Sequence, residues 1–140
     1  MKILKWFFGI LLTLILLLFI IFLLGPKPPT PDLTIRAATA SSDLNFLADS
    51  IEKAELTVPN LKPDNESRII FADSVPVKTE YAIVYLHGFS ASQEEGDPMH
   101  EALAKRYHCN LFLPRLAGHG LIEQEAMLDL TAEQLVQSAN

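Results

Sequence analysis

Nineteen consecutive residues, Trp6 to Leu24, carry no charge and are interrupted only by Gly9 and Thr13. As a helix rising ~1.5 Å per residue this run spans about 28 Å, close to the roughly 30 Å hydrocarbon core of a bilayer. It has no polar face, which excludes an amphipathic helix packed on a soluble core. Lys2, Lys5 and the N-terminal amine precede it, and Trp6 occupies the interfacial position. The positive-inside rule therefore predicts a single-pass anchor in the cytoplasmic membrane, with the N-terminus inside and the rest on the extracytoplasmic side. A cleaved signal peptide would have an apolar run of roughly 7–15 residues and then a small-x-small site. Phe22-Leu23-Leu24-Gly25-Pro26 offers no small residue at the −3 position, and no cysteine follows to suggest a lipoprotein. Residues 1–25 thus read as an uncleaved signal anchor that meets the membrane through residues 6–24.

Pro26, Pro28, Pro29 and Pro31 follow at once. They exclude both helix and sheet ladder, so residues 26–41 read as an extended, semi-rigid linker. Residues 42–140 are left for a globular part, close to the lower range for a self-sufficient α/β domain. The anchor supplies much of the 49% hydrophobic content, and the formal net charge is −6 without a Lys/Arg cluster. That balance excludes nucleic acid as a partner, because phosphate binding needs clustered cations. Cys109 is the single cysteine. It excludes an intramolecular disulfide and a cysteine-based zinc site, and its apolar surroundings predict a buried packing thiol. No metal and no organic cofactor is indicated.

Within 42–140, Ser42-Asp43 predicts a helix cap, and Leu44, Leu47, Ile51 and Ala54 line one helical face that ends at Val58-Pro59. Arg68–Ala72 reads as a short strand. Tyr81–Leu86 reads as a second, apolar on both faces, as expected of a strand in the middle of a sheet covered by helices on each side. Asp97-Pro98 predicts a helix start, with Asp97 as N-cap and Pro98 in the first turn. Met99, Ala102, Leu103 and Tyr107 are its expected buried stripe. Asn110–Leu113 is the next strand, closed by Pro114. Thr131-Ala132-Glu133-Gln134 is a capping box that opens a last helix. Strand and helix alternating at these lengths predict βαβ units and a parallel sheet, hence an α/β fold. The last helix leads into no further strand, so the domain is expected to be incomplete.

Two motifs carry chemistry. Ile83-Val84-Tyr85-Leu86-His87-Gly88-Phe89 is a buried strand ending in His-Gly-aromatic, followed by a polar loop and a helix. It resembles the oxyanion loop of the α/β-hydrolases, which follows their third strand and lends a backbone N–H to the oxyanion hole. Pro114-Arg115-Leu116-Ala117-Gly118-His119-Gly120 resembles the Gly-His-Gly turn after the next strand in esterase, lipase and serine aminopeptidase members. The resemblance covers roughly residues 67–140 and is strongest to bacterial membrane-anchored hydrolases. It implies that the Phe89 N–H faces a developing oxyanion, a donor worth ~3 kcal/mol in comparable sites. It also implies that Gly88 allows the sharp turn off the strand, that His87 supports this loop, and that Gly118, His119 and Gly120 form a structural turn. His100 and His108 are expected to be solvated.

The resemblance also implies what is missing. The family's nucleophile lies in Gly-x-Ser-x-Gly, with Asp and His later in the chain, and no Gly-x-Ser-x-Gly occurs here. Gly88-Phe89-Ser90-Ala91-Ser92 is a near miss after the wrong strand. A compact triad of Ser90, His119 and Asp129 runs against both chain order and topology. The chain is therefore expected to be the N-terminal portion of an incomplete α/β-hydrolase sheet preceded by one transmembrane helix, truncated before the nucleophile elbow. The complete protein would hydrolyse a small-molecule ester or amide through an acyl-enzyme, while this chain alone would be silent, with no catalytic serine, aspartate or histidine of its own. The alternative is a complete, short, non-enzymatic membrane protein whose half-sheet binds a partner.

Overall fold

A computed structural model describes residues 2–35, 39–123 and 125–139; part of the expected linker, residues 36–38, lies outside them. The chain divides into two units, Met1–Pro31 and Asp32–Asn140. The first holds helix α1, Lys2–Leu24, 23 residues long with an 18-residue stretch of mean hydropathy 3.2, long and apolar enough to cross a membrane. No residue of α1 is buried. Residues 26–31 have no regular structure, as four prolines require.

The second unit contains helices α2 (Leu44–Leu56), α3 (Met99–Tyr107) and α4 (Ala132–Ser138) and strands β1 (Arg68–Ile70), β2 (Ala82–Val84) and β3 (Asn110–Leu113). α2 begins where Asp43 Oδ1 accepts the N–H groups of Asn45 and Phe46, two donors that a helix start otherwise leaves orphaned. α4 begins at the reciprocal Thr131–Gln134 capping box. Both starts are where the sequence predicts them.

The sheet order is β1-β3-β2. β2, α3 and β3 form a parallel βαβ unit, in register Ala82↔Asn110, Ile83↔Leu111 and Val84↔Phe112. β1 runs antiparallel to β3, so the sheet is mixed and not wholly parallel as expected. The link between β1 and β2 contains no helix, and a crossover helix is what makes neighbouring strands parallel. An antiparallel edge strand on a parallel pair is common in α/β sheets.

Alternation places Leu111 and Leu113 on the face covered by α3. There Ala104, Cys109, Leu111 and Leu113 form the core, with Ile70, Ile83 and Tyr85 packed against it. Cys109 is buried as a packing thiol. The opposite face carries Ile69, Phe112 and Val84 in one cross-strand row.

Four further expectations are overturned here. β2 is not in the middle of the sheet: among the described residues it pairs only with β3, and Val84 and Leu86 are 57% and 50% exposed. An apolar run on both faces marks a strand whose two faces are apolar, but it does not say which neighbours supply the cover. In α3, Met99, Ala102, Leu103 and Tyr107 are all exposed, and the buried positions are His100 and Ala104. The expected N-cap also moves. Asp97 instead ends a 3-10 turn, Gln93–Gly96, and Pro98 precedes the helix with no side-chain cap. His100 explains the rotation. Its Nε2 hydrogen-bonds the Gln93 carbonyl at 3.0 Å, and its ring meets Tyr85 edge-on at 4.9 Å. His100 is therefore buried, not solvated, while His108 is exposed beside Asp73.

Candidate functional site

The segments 87–90 and 116–120 leave the adjacent parallel strands β2 and β3 at the same end, so sheet pairing brings the two motifs together. Two histidines then stitch them. His87 Nε2 accepts the Leu116 N–H at 3.2 Å, and its Nδ1 lies 3.0 Å from the Gly88 carbonyl. His119 Nε2 accepts the Ser90 N–H at 3.0 Å, and its Nδ1 lies 2.8 Å from the Ala117 carbonyl. In each ring Nε2 takes a backbone N–H and Nδ1 stands against a backbone carbonyl, the arrangement of an Nδ1–H tautomer. Both are buried, and their centroids stand 4.9 Å apart. Phe89, 74% exposed, sets its ring edge-on to His119 at 5.8 Å.

With both nitrogens of each ring engaged, neither histidine is available as a general base. The compact triad is not assembled: His119 Nε2 is taken by the backbone of Ser90, and its Nδ1 faces Ala117, not Asp129.

The three successive N–H groups of the loop have different fates. Gly88 N–H donates to Glu95 Oε2 at 2.7 Å, a charge-assisted bond. Ser90 N–H goes to His119. The Phe89 N–H between them donates to no acceptor among the described residues. Gly88 is not in the left-handed region, and a Cβ there would lie 3.1 Å from Glu95 Oε2, which would have to give by a few tenths of an ångström. Ser90 holds a left-handed φ of 64°, uncommon for a serine, with its N–H on His119.

Glu95 does further work beneath the loop. Burial, and secondarily the Glu95 carboxylate, pushes the Tyr85 phenol above its ordinary pKa. A phenol held neutral can donate where an ionised one would repel.

The Gly-His-Gly turn has its own support. Gly118 and Gly120 both stand in the left-handed region, at φ of 72° and 70°. Lys62 N–H donates to the Gly120 carbonyl at 2.8 Å. Arg115 Nη1 donates to the His119 carbonyl at 3.2 Å, while its Nε reaches Glu55 Oε2 at 2.8 Å. Between the two loops lies an open cleft of about 640 Å³, walled by Lys62, Asn65, Ser90, Ser92, Glu95 and His119 among others. Among the described residues no group of three or more His, Cys, Asp or Glu could hold a metal ion.

Sequence reasoning missed Glu95, Glu55 and the contact role of Arg115. Glu55 sits where the α2 pattern expects Ala54 to be buried; Ala54 is exposed and the Glu55 side chain is only 12% exposed. An acidic residue one step off an apolar face is the only signal, and it is weak. Comparison with family models, curated proteins and solved structures returns no match.

Proposed function

We propose that this chain is the N-terminal part of a membrane-anchored α/β-hydrolase and supplies the oxyanion loop of an ester- or amide-cleaving site. One observation carries the reading: of the three N–H groups in the 88–90 loop, the flanking two are held by Glu95 and His119, and the one without a partner among the described residues belongs to Phe89. A donor left free on a braced backbone is what electrostatic stabilisation of a tetrahedral oxyanion needs, because it demands no reorganisation during the reaction. The βαβ unit in a mixed sheet, with the loop at the end of β2, supports the same reading. The serine nucleophile, its aspartate and its histidine would come from outside these residues. The α1 helix would hold the domain on the extracytoplasmic face, with small-molecule esters or amides as substrates.

The coding sequence beyond codon 140 tests this directly. The reading requires a Gly-x-Ser-x-Gly after an apolar strand, with Asp and His later. The longer product should be labelled on that serine by a fluorophosphonate, whereas the 140-residue chain should not be labelled at all. Phe89→Pro in the longer product, which removes the N–H, should lower kcat by about 10²–10³. Serine labelling with no loss on Phe89→Pro would remove the oxyanion role. The rival reading, a non-enzymatic membrane protein whose half-sheet binds a partner, draws on the unpaired edge of β2. It gains if no nucleophile motif follows in any frame.

A further inference from the structure

We propose that Arg115 and Glu55 are positioning residues that set the oxyanion loop through His119. The inference rests on the hydrolase reading for its purpose, though its geometry stands alone. His119 lies between two glycines of left-handed φ, so its own backbone is soft and something outside must orient it. Arg115 does this. Its Nη1 holds the His119 carbonyl at 3.2 Å, and its Nε and Nη2 fork onto Glu55 Oε2 and Oε1 at 2.8 and 3.4 Å. Ser67 locks the fork from behind: its hydroxyl donates to Glu55 Oε1 and accepts the Arg115 N–H, both at 2.9 Å.

The two charged side chains are only 13% and 12% exposed. Partial burial and two-point geometry make the guanidinium a fixed strut, not a surface charge swinging in water. From Glu55 on α2 the path runs through Arg115 to the His119 carbonyl. From the His119 ring it reaches the Ser90 N–H at 3.0 Å. The residue before Ser90 is Phe89. Neither Glu55 nor Arg115 hydrogen-bonds Phe89; their link to the loop runs through His119.

The test reads the loop without needing catalysis. Amide exchange and the His119 ring ¹⁵N shifts are measured in the 140-residue chain in micelles, for wild type, Arg115→Lys and Glu55→Gln. Lysine keeps the charge but lacks the fork; glutamine keeps the shape but not the charge. The expected result in both is Ser90 exchange faster by about tenfold, the equivalent of one hydrogen bond lost. Leu111 exchange should stay unchanged, and the His119 Nε2 signal should move. Unchanged Ser90 protection overturns the proposal. So does equal loss at Ser90 and Leu111, or an unfolded spectrum for Glu55→Gln, since each makes the pair a general stabiliser. Absence of a labelled serine in a longer product would sink the hydrolase reading and leave this exchange result intact.

Discussion

Gly120 bears two constraints at one atomic position. Its φ of 70° lies where an L-residue pays roughly 1–2 kcal/mol, and a Cβ would stand 2.9 Å from Asn65 Cβ and 3.0 Å from Arg115 Cδ. Gly118 shares the backbone strain, but its nearest neighbour is the Ala126 carbonyl oxygen at 3.3 Å. Gly120→Ala should therefore lower the denaturant midpoint clearly more than Gly118→Ala; equal shifts would show that Asn65 and Arg115 yield freely. Tyr85 makes a second prediction. Its pKa is raised in the folded state, so the folded chain keeps a proton that the unfolded chain loses near pH 10. Protons bound by the folded state alone make stability fall as pH rises. The contribution is complete below pH 10 and is lost above it. Tyr85→Phe should flatten that alkaline decline, as followed by unfolding midpoints at stepped pH.

At the scale of elements, α4 shows how far local chemistry reaches. Its capping box joins Thr131 Oγ1 to the Gln134 N–H at 3.2 Å and Gln134 Oε1 to the Thr131 N–H at 3.0 Å. Thr131→Ala should weaken the helix by ~1 kcal/mol, read as faster exchange of the 134–137 amides with β3 unaffected. Such signals were legible because they lie within four residues of sequence. β3 was read residue for residue, since Asn110–Leu113 is bounded by a helix end and Pro114. The face of α3 was not legible, because it turns on His100 meeting Gln93 and Tyr85 from other segments. The edge position of β2 was not legible either, because a strand's pattern reports its own faces and not its neighbours. In the site, His87, Gly88, Phe89 and His119 were visible through their motif. Glu95 and the Glu55–Arg115 fork were not, the latter joining residues 60 apart.

For the whole molecule, the separation into Met1–Pro31 and Asp32–Asn140 sets a helix long and apolar enough to cross a membrane in a unit of its own. The α1 surface is apolar around its circumference, whereas the second unit carries almost all the charge. Alkaline carbonate should leave the full chain in the membrane pellet, and removal of residues 1–31 should release it to the supernatant. Release of the full chain would reduce α1 to a peripheral contact. The freed unit should also self-associate, because Val84 in β2 and Leu86 just beyond it are exposed beside a strand edge that is unpaired among the described residues. Val84→Lys should restore a monodisperse sizing profile.

The histidine stitches also have a consequence for how the site comes into being. Each bond joins residues 29 apart, a ring of chain that would be entropically costly to close by itself. The pairing of Val84 with Phe112 has already closed nearly all of that ring, leaving His87 and Leu116 a few residues beyond the pinned point. Polymer statistics then make the stitches late, short-range and fast to remake. The site therefore assembles after the sheet, on a frame whose strand pairing has already brought its two halves within reach.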